Sequence, residues 1–150
     1  MISKQQHSTE FVLDIIQNFI RITASADSNL EVFEAITKNF MQKLNVEECV
    51  VYEFDKNSKT LLQRAIHGKQ SPNGEMDNNI QSLKLGEGIV GWVAEHLESV
   101  KINDTSKDYR YIVDRGINLS ELAVPITFNG ELLGVIDSEN SQKDYFTSYD

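Results

Sequence analysis

The segment SELAVPITFNGELLGVIDSEN, residues 120–140, constrains this chain more than any other. Two runs rich in Leu, Val and Ile flank Asn129–Gly130, and Asn-Gly between such runs is the strongest short-range signal for a tight β-hairpin. Upstream, ECVVYEFD (48–55) and TLLQRAIHG (60–68) flank the turn KNSK and predict a second hairpin. Hairpins join antiparallel neighbours, so the sheet they build is antiparallel and not of the doubly wound parallel kind.

Helices come first in the chain. Phe11, Val12, Ile15, Ile16, Phe19 and Ile20 recur at helical spacing within residues 8–24. After the polar break TASADSN, Ser28 and Glu31 form a capping-box pattern. A second helix then carries Phe33, Ile36, Phe40, Met41 and Leu44 on one face. Residues 69–82 are turn-rich and polar and read as a loop. GEGIVGWVAEH reads as a short helix entered through glycines, SVKIND as a brief strand, and TSKDYRYIVDRG as a polar connection. Helices grouped apart from hairpin-joined strands indicate an α+β fold in a single domain over residues 1–150.

Bulk properties narrow the function. The chain has 150 residues, 23 acids against 14 bases and a formal charge of −9. A scattered minority of basic residues on an acidic protein argues against a nucleic-acid partner. No apolar run approaches the ~20 residues that a membrane span needs, and the N-terminus MISKQQHSTE has no signal-peptide core. A cytoplasmic location without a membrane partner is expected. The lone Cys49 has no cysteine to pair with, and no CxxC or Cys/His cluster is present to hold a metal.

Alternation along the closing hairpin points to a site. In the first strand Leu122, Val124 and Ile126 share one face, which should meet the helices, while Glu121, Ala123 and Pro125 point the other way. In the second, Leu133, Val135, Asp137 and Glu139 share a face. Glu121 and Asp137, beside small residues, fit either a concave ligand site or the solvated end of a sheet face. Gly86, Gly88 and Gly91 spell GxGxxG. A dinucleotide site needs that motif between a parallel strand and a long helix, and here the neighbours are hairpins. A tight turn with close helix–sheet packing explains the glycines better, with an anion held at the helix start as a lesser alternative.

The segments LGEGIVGWVAEH, SVKINDTSKDYRYI and SELAVPITFNGELLGVIDSENS, ending in FTSYD, resemble the GAF domain family in order and spacing. The resemblance covers about residues 9–150. It implies a central antiparallel sheet, as in GAF and PAS folds, with helices on one face and a ligand pocket under short helices and loops on the other. Glu121 and Asp137 resemble the positions of pocket acids in the family, and Ala123 and Glu139 share their surface. Trp92, Tyr109 and Tyr111 belong to the segments that roof the pocket, where rings could stack on a ligand, although Trp92 could equally seal the core. His67 could face the pocket, where some members hold haem through a histidine, or be an ordinary strand-end residue. The resemblance further implies a homodimer through the N-terminal helix, a closing helix after FTSYD, and an output domain beyond it, as in bacterial sensor histidine kinases and related regulators.

The ligand stays open. Bilin-attaching and methionine-sulfoxide-reducing members rely on pocket cysteines that this chain lacks, so neither a covalent bilin nor an enzyme is expected. The Asn-Lys…Phe…Asp-Glu pattern of cyclic-nucleotide-binding members is missing as well, which leaves a cyclic nucleotide or haem unfavoured but open. A ligand-free dimerisation module is the alternative to a sensor.

Overall fold

A computed structural model describes residues 9–68, 82–113, 116–148 and 150. Two helices, α1 (Thr9–Ser25) and α2 (Asn29–Leu44), precede the hairpin β1 (Glu48–Asp55) and β2 (Thr60–Gly68). A short strand β3 (Ser82–Lys84), helix α3 (Gly88–His96), strand β4 (Val100–Ile102) and one 3-10 turn (Thr105–Lys107) follow. The closing hairpin is β5 (Ser120–Phe128) and β6 (Glu131–Asn140). The strands form one sheet in the order β3-β2-β1-β6-β5-β4, with every neighbouring pair antiparallel. Among the described residues no helix is long and apolar enough to cross a membrane.

Local chemistry accounts for these boundaries. Asn129 and Gly130 both take positive φ, 51° and 79°, as the two-residue turn requires if the strands are to keep their right-handed twist. Ser28 caps α2 by accepting the Glu31 N–H at 3.3 Å, and the Glu31 carboxylate accepts the Asp27 N–H at 2.9 Å. The capping box thus closes one residue further upstream than the usual reciprocal pair. At the other end, Asn45 stops α2 in the left-handed conformation. Pro125 is tolerated inside β5 because β4 reaches only as far as Ala123, leaving β5 at an edge there.

The sheet separates two apolar layers. On one side α2 covers Cys49, Leu122 and Ile136, and Phe146 closes the layer. On the other, α3 lays Ile89, Val90, Val93 and Ala94 over Val50, Tyr52, Ala123 and Val135. Two expectations need correction. Strand β3 begins inside the segment read as a loop, and the remainder of that loop, 69–81, lies outside the described residues. The register of β5 and β6 shifts where Ile126 pairs with Gly134 and Thr127 with Leu132. Leu133 is the extra residue of this bulge, so Leu132 packs with the α3-side core and Leu133 is exposed. Helix α1 buries no residue fully, because α2 lies against β1 and β2 and α1 packs on α2. Val12, Leu13, Ile16, Phe19 and Ile20 each stay at least 40% exposed.

Candidate ligand pocket

The centre of the sheet carries an unusual row. Cross-strand pairing sets Glu139 of β6 directly between Glu121 of β5 and Glu48 of β1. One step along, Asp137 lies between Ala123 and Val50. All four acids are on the α3 side, and each is at most 6% exposed. Together with Val50, Tyr52, Leu83, Ile112 and the first residues of α3 they line a cavity of about 40 Å³, room for about three waters. Among the described residues no lysine, arginine or histidine lines it, although the Arg110 charge is felt at Glu121. Asn118 Nδ2 donates to Glu139 Oε2 at 2.9 Å. Tyr111 stands beside the row, where burial first, and then the charges of Glu139 and Glu121, push its hydroxyl well above the ordinary range. Among the described residues no group of three or more His, Cys, Asp or Glu is placed to hold a metal ion.

The roof depends on glycine. A Cβ on Gly91 would stand 2.4 Å from the Lys84 carbonyl oxygen, and one on Gly88 only 2.8 Å from Ile112 Cδ1. The N–H of Gly86 donates to the Gly91 carbonyl at 2.8 Å, closing the turn into α3. These contacts bring α3 close to the sheet and aim its first turn at the cavity, where Gly88, Ile89 and Val90 are lining residues. The connection after β4 completes the roof. Its base is tied by Thr105 N–H to the Leu119 carbonyl at 3.0 Å and by Leu119 N–H to the Asn140 carbonyl at 2.8 Å. At its tip Arg110 forks onto Asp108, with Nε to Oδ1 at 3.0 Å and Nη2 to Oδ2 at 2.7 Å. The guanidinium holds the Asp108 carboxyl below its usual range.

The family model of the GAF domain matches residues 28–150. The chain belongs to the GAF domain family. A regulatory module of this type also occurs in the dual 3',5'-cyclic-AMP and -GMP phosphodiesterase 11A of Takifugu rubripes. That protein is 28% identical over 162 residues, covering 98% of this chain and 17% of the relative. The GAF domain of an Acinetobacter phosphoenolpyruvate-protein phosphotransferase superposes with a TM-score of 0.78 at 24% identity, covering 94% of this chain and 83% of that one. Free methionine-R-sulfoxide reductase from Neisseria meningitidis, solved with its substrate, gives 0.76 at 17% identity over 95% and 82%. At such identities the solved structures establish a shared fold. The antiparallel sheet with α1 and α2 on one side and α3 on the other is therefore the GAF architecture.

Within this GAF domain, Glu121, Asp137 and Glu139 come together on the cavity floor, with Ala123 beside them and Tyr111 at the margin. The other candidates do not join them. His67 pairs with Cys49, on the face that α2 covers, and so points away from the cavity. This removes the geometric basis for a haem held there through His67. Tyr109 is 96% exposed. Trp92 packs partly buried against the α3-side core, stacked on His96 at 4.0 Å and under the Arg110 guanidinium at 4.8 Å; it seals the core and is not a lining residue. Sequence reasoning missed Glu48 and Ile112. Alternation within ECVVYEFD puts Glu48 on the face of Val50 and Tyr52, but nothing local said that β1 would lie against β6.

Proposed function

We propose that this GAF domain is a sensory module whose pocket takes a small ligand bearing a positive charge, an ammonium or a guanidinium, and that ligand binding regulates an attached output domain. The observation that carries the reading is the row Glu121–Glu139–Glu48 with Asp137 beside it, buried along one cavity. Carboxylates crowded in a desolvated site favour a cation there. The same charges disfavour the phosphate of a cyclic nucleotide against this floor. The first amides of α3 have no partner within the helix by its geometry, so an anionic group on the same ligand fits the roof. A non-catalytic role agrees with Cys49, which is on the α2 side and whose thiol burial pushes up to about 12.

In this proposal the domain works in the cytoplasm, within a bacterial sensor histidine kinase or related regulator. It dimerises through α1, whose exposed apolar side chains would be covered by a second copy. The same exposed stripe also favours a second reading, a ligand-free dimerisation module. Thermal unfolding against a panel of amines, guanidines, amino acids and nucleotides separates the two. A ligand at a hundred times its Kd adds about 2.7 kcal/mol and lifts the midpoint by several degrees. A shift from a cationic compound that disappears in Asp137→Asn and Glu121→Gln supports the sensor. Shifts confined to anionic compounds, or a flat panel with a concentration-dependent midpoint, refute it.

A further inference from the structure

Past the end of β6 the chain is stitched down on both sides. Ser120 Oγ donates to the Gln142 carbonyl at 2.6 Å, and the Ser141 N–H donates to Glu47 Oε2 at 3.0 Å. Lys143 Nζ then donates to Asp104 Oδ2 at 2.8 Å, and the Asp144 N–H to the Asn103 carbonyl at 2.9 Å. Asn103 and Asp104 immediately follow β4. One residue on, the Tyr145 hydroxyl donates to the Asn45 carbonyl at 2.6 Å, at the C-terminus of α2, and Phe146 is buried in the layer under that helix. The segment thus joins the connection after β4 to the last turn of α2. Asp144 makes the bend between the two ties with φ at 54°, a backbone region uncommon for any residue but glycine.

The cavity reaches this segment through side chains. Glu139 on the floor accepts Asn118 Nδ2 at 2.9 Å, and the Asn118 carbonyl accepts Thr105 Oγ1 at 2.5 Å. Thr105 is buried and directly follows Asp104, the partner of Lys143. We propose that Ser141–Phe146 is a transmission strap, through which the state of Glu139 sets how firmly the C-terminus of α2 is held. Its use as a signal rests on the cavity being the ligand site. A cation that takes the Glu139 carboxylate releases Asn118. The base of the connection then shifts with Thr105 and Asp104, and the Tyr145 hydroxyl withdraws from Asn45. The last carbonyls of α2 have no partner within the helix, so losing this donor frays its final turn. Helix α1 packs on α2, which carries the change to the exposed apolar stripe.

Hydrogen exchange of the full chain, read residue by residue by NMR, tests the strap without any ligand. Asn118 stands on the cavity side of the sheet and α2 on the other. Asn118→Ala should nevertheless speed exchange at residues 41–44, the end of α2, about three- to tenfold. Tyr145→Phe keeps the ring and removes only the hydroxyl, and should give a similar rise. Adding Asn118→Ala to Tyr145→Phe should then change nothing further, since both cut one route. Lys143→Gln, at a half-exposed side chain, cuts the strap at its other end without disturbing the core and should show the same non-additivity. Exchange at residues 33–36, in the first half of α2, should stay within about twofold of the unaltered protein, because fraying is confined to the end. Additive effects of Asn118→Ala and Tyr145→Phe overturn the strap. So does an equal rise at residues 33–36, which would mean general loosening, or no rise at residues 41–44. A flat ligand panel with a coupled α2 refutes the sensor and keeps the strap. A cationic ligand with an uncoupled α2 does the reverse.

Discussion

Removing one charge from the centre of the glutamate row should stabilise the unliganded protein. Glu139 is the residue to change, because it faces Glu121 on one side and Glu48 on the other, and like charges directly opposite are destabilising. Opposed side chains on neighbouring strands place their carboxylates about 6 Å apart. At an effective dielectric of about 20 each pair then repels by roughly 3 kcal/mol, an upper figure. Water and side-chain rotation relieve most of it, leaving a net gain of about 1–2 kcal/mol for Glu139→Gln. The amide oxygen keeps an acceptor for Asn118 Nδ2, which now bonds Glu139 Oε2 at 2.9 Å. For a domain of this length the midpoint should rise by about 2–8 °C at pH 7. Scanning calorimetry of both proteins at pH 7 checks this, and the variant should also lose any shift caused by a cationic ligand. A fall in the midpoint at pH 7 would refute the reasoning. Donors around Glu139 would then outweigh its like-charged neighbours, and the row would be a satisfied structural network, not a floor poised for a cation.

The glycines of the roof and the hairpin should respond differently to alanine. Gly91→Ala forces a Cβ to 2.4 Å from backbone and should cost about 1–3 kcal/mol. Gly130→Ala meets nothing within 4 Å, so it should cost only the left-handed penalty of roughly 1–2 kcal/mol; urea melts with equal m-values rank the pair. Cys49 has a folded thiol raised to about 12 against about 8.5 unfolded. Its contribution is fully present below pH 8.5 and lost as pH rises towards 12. Iodoacetamide at pH 8.5 should therefore leave the native protein unlabelled and label it fully in denaturant. Ser28→Ala removes the acceptor for the Glu31 N–H and should cost about 1 kcal/mol, seen as a lower thermal midpoint by circular dichroism.

The elements that local chemistry dictates were legible in the residues. Asn129–Gly130 specifies a turn whose two positive φ values few other residue pairs accept. Ser28 and Glu31 announce the start of α2, and the first hairpin spans the residues that composition marks, 48–55 and 60–68. Alternation also put Glu121, Asp137 and Glu139 on the sheet face that turned out to carry the cavity, since period two is a property of any extended strand.

What only the tertiary structure decided is which strand lies beside which, and what covers each face. Glu48 and Glu139 meet because β1 pairs with β6 across a long sequence separation, a choice made by the whole sheet and written in neither strand. The bulge at Leu133 reverses the phase of β6 ahead of it, which a strict alternation cannot foresee. Trp92 packs against the α3-side core, Tyr109 stands in solvent and His67 lies against the helix layer, because a short helix and a polar connection take their orientation from the surface they dock on. Periodicity tells which side chains share a surface; burial, partners and charge crowding arise only when surfaces from distant parts of the chain are brought together.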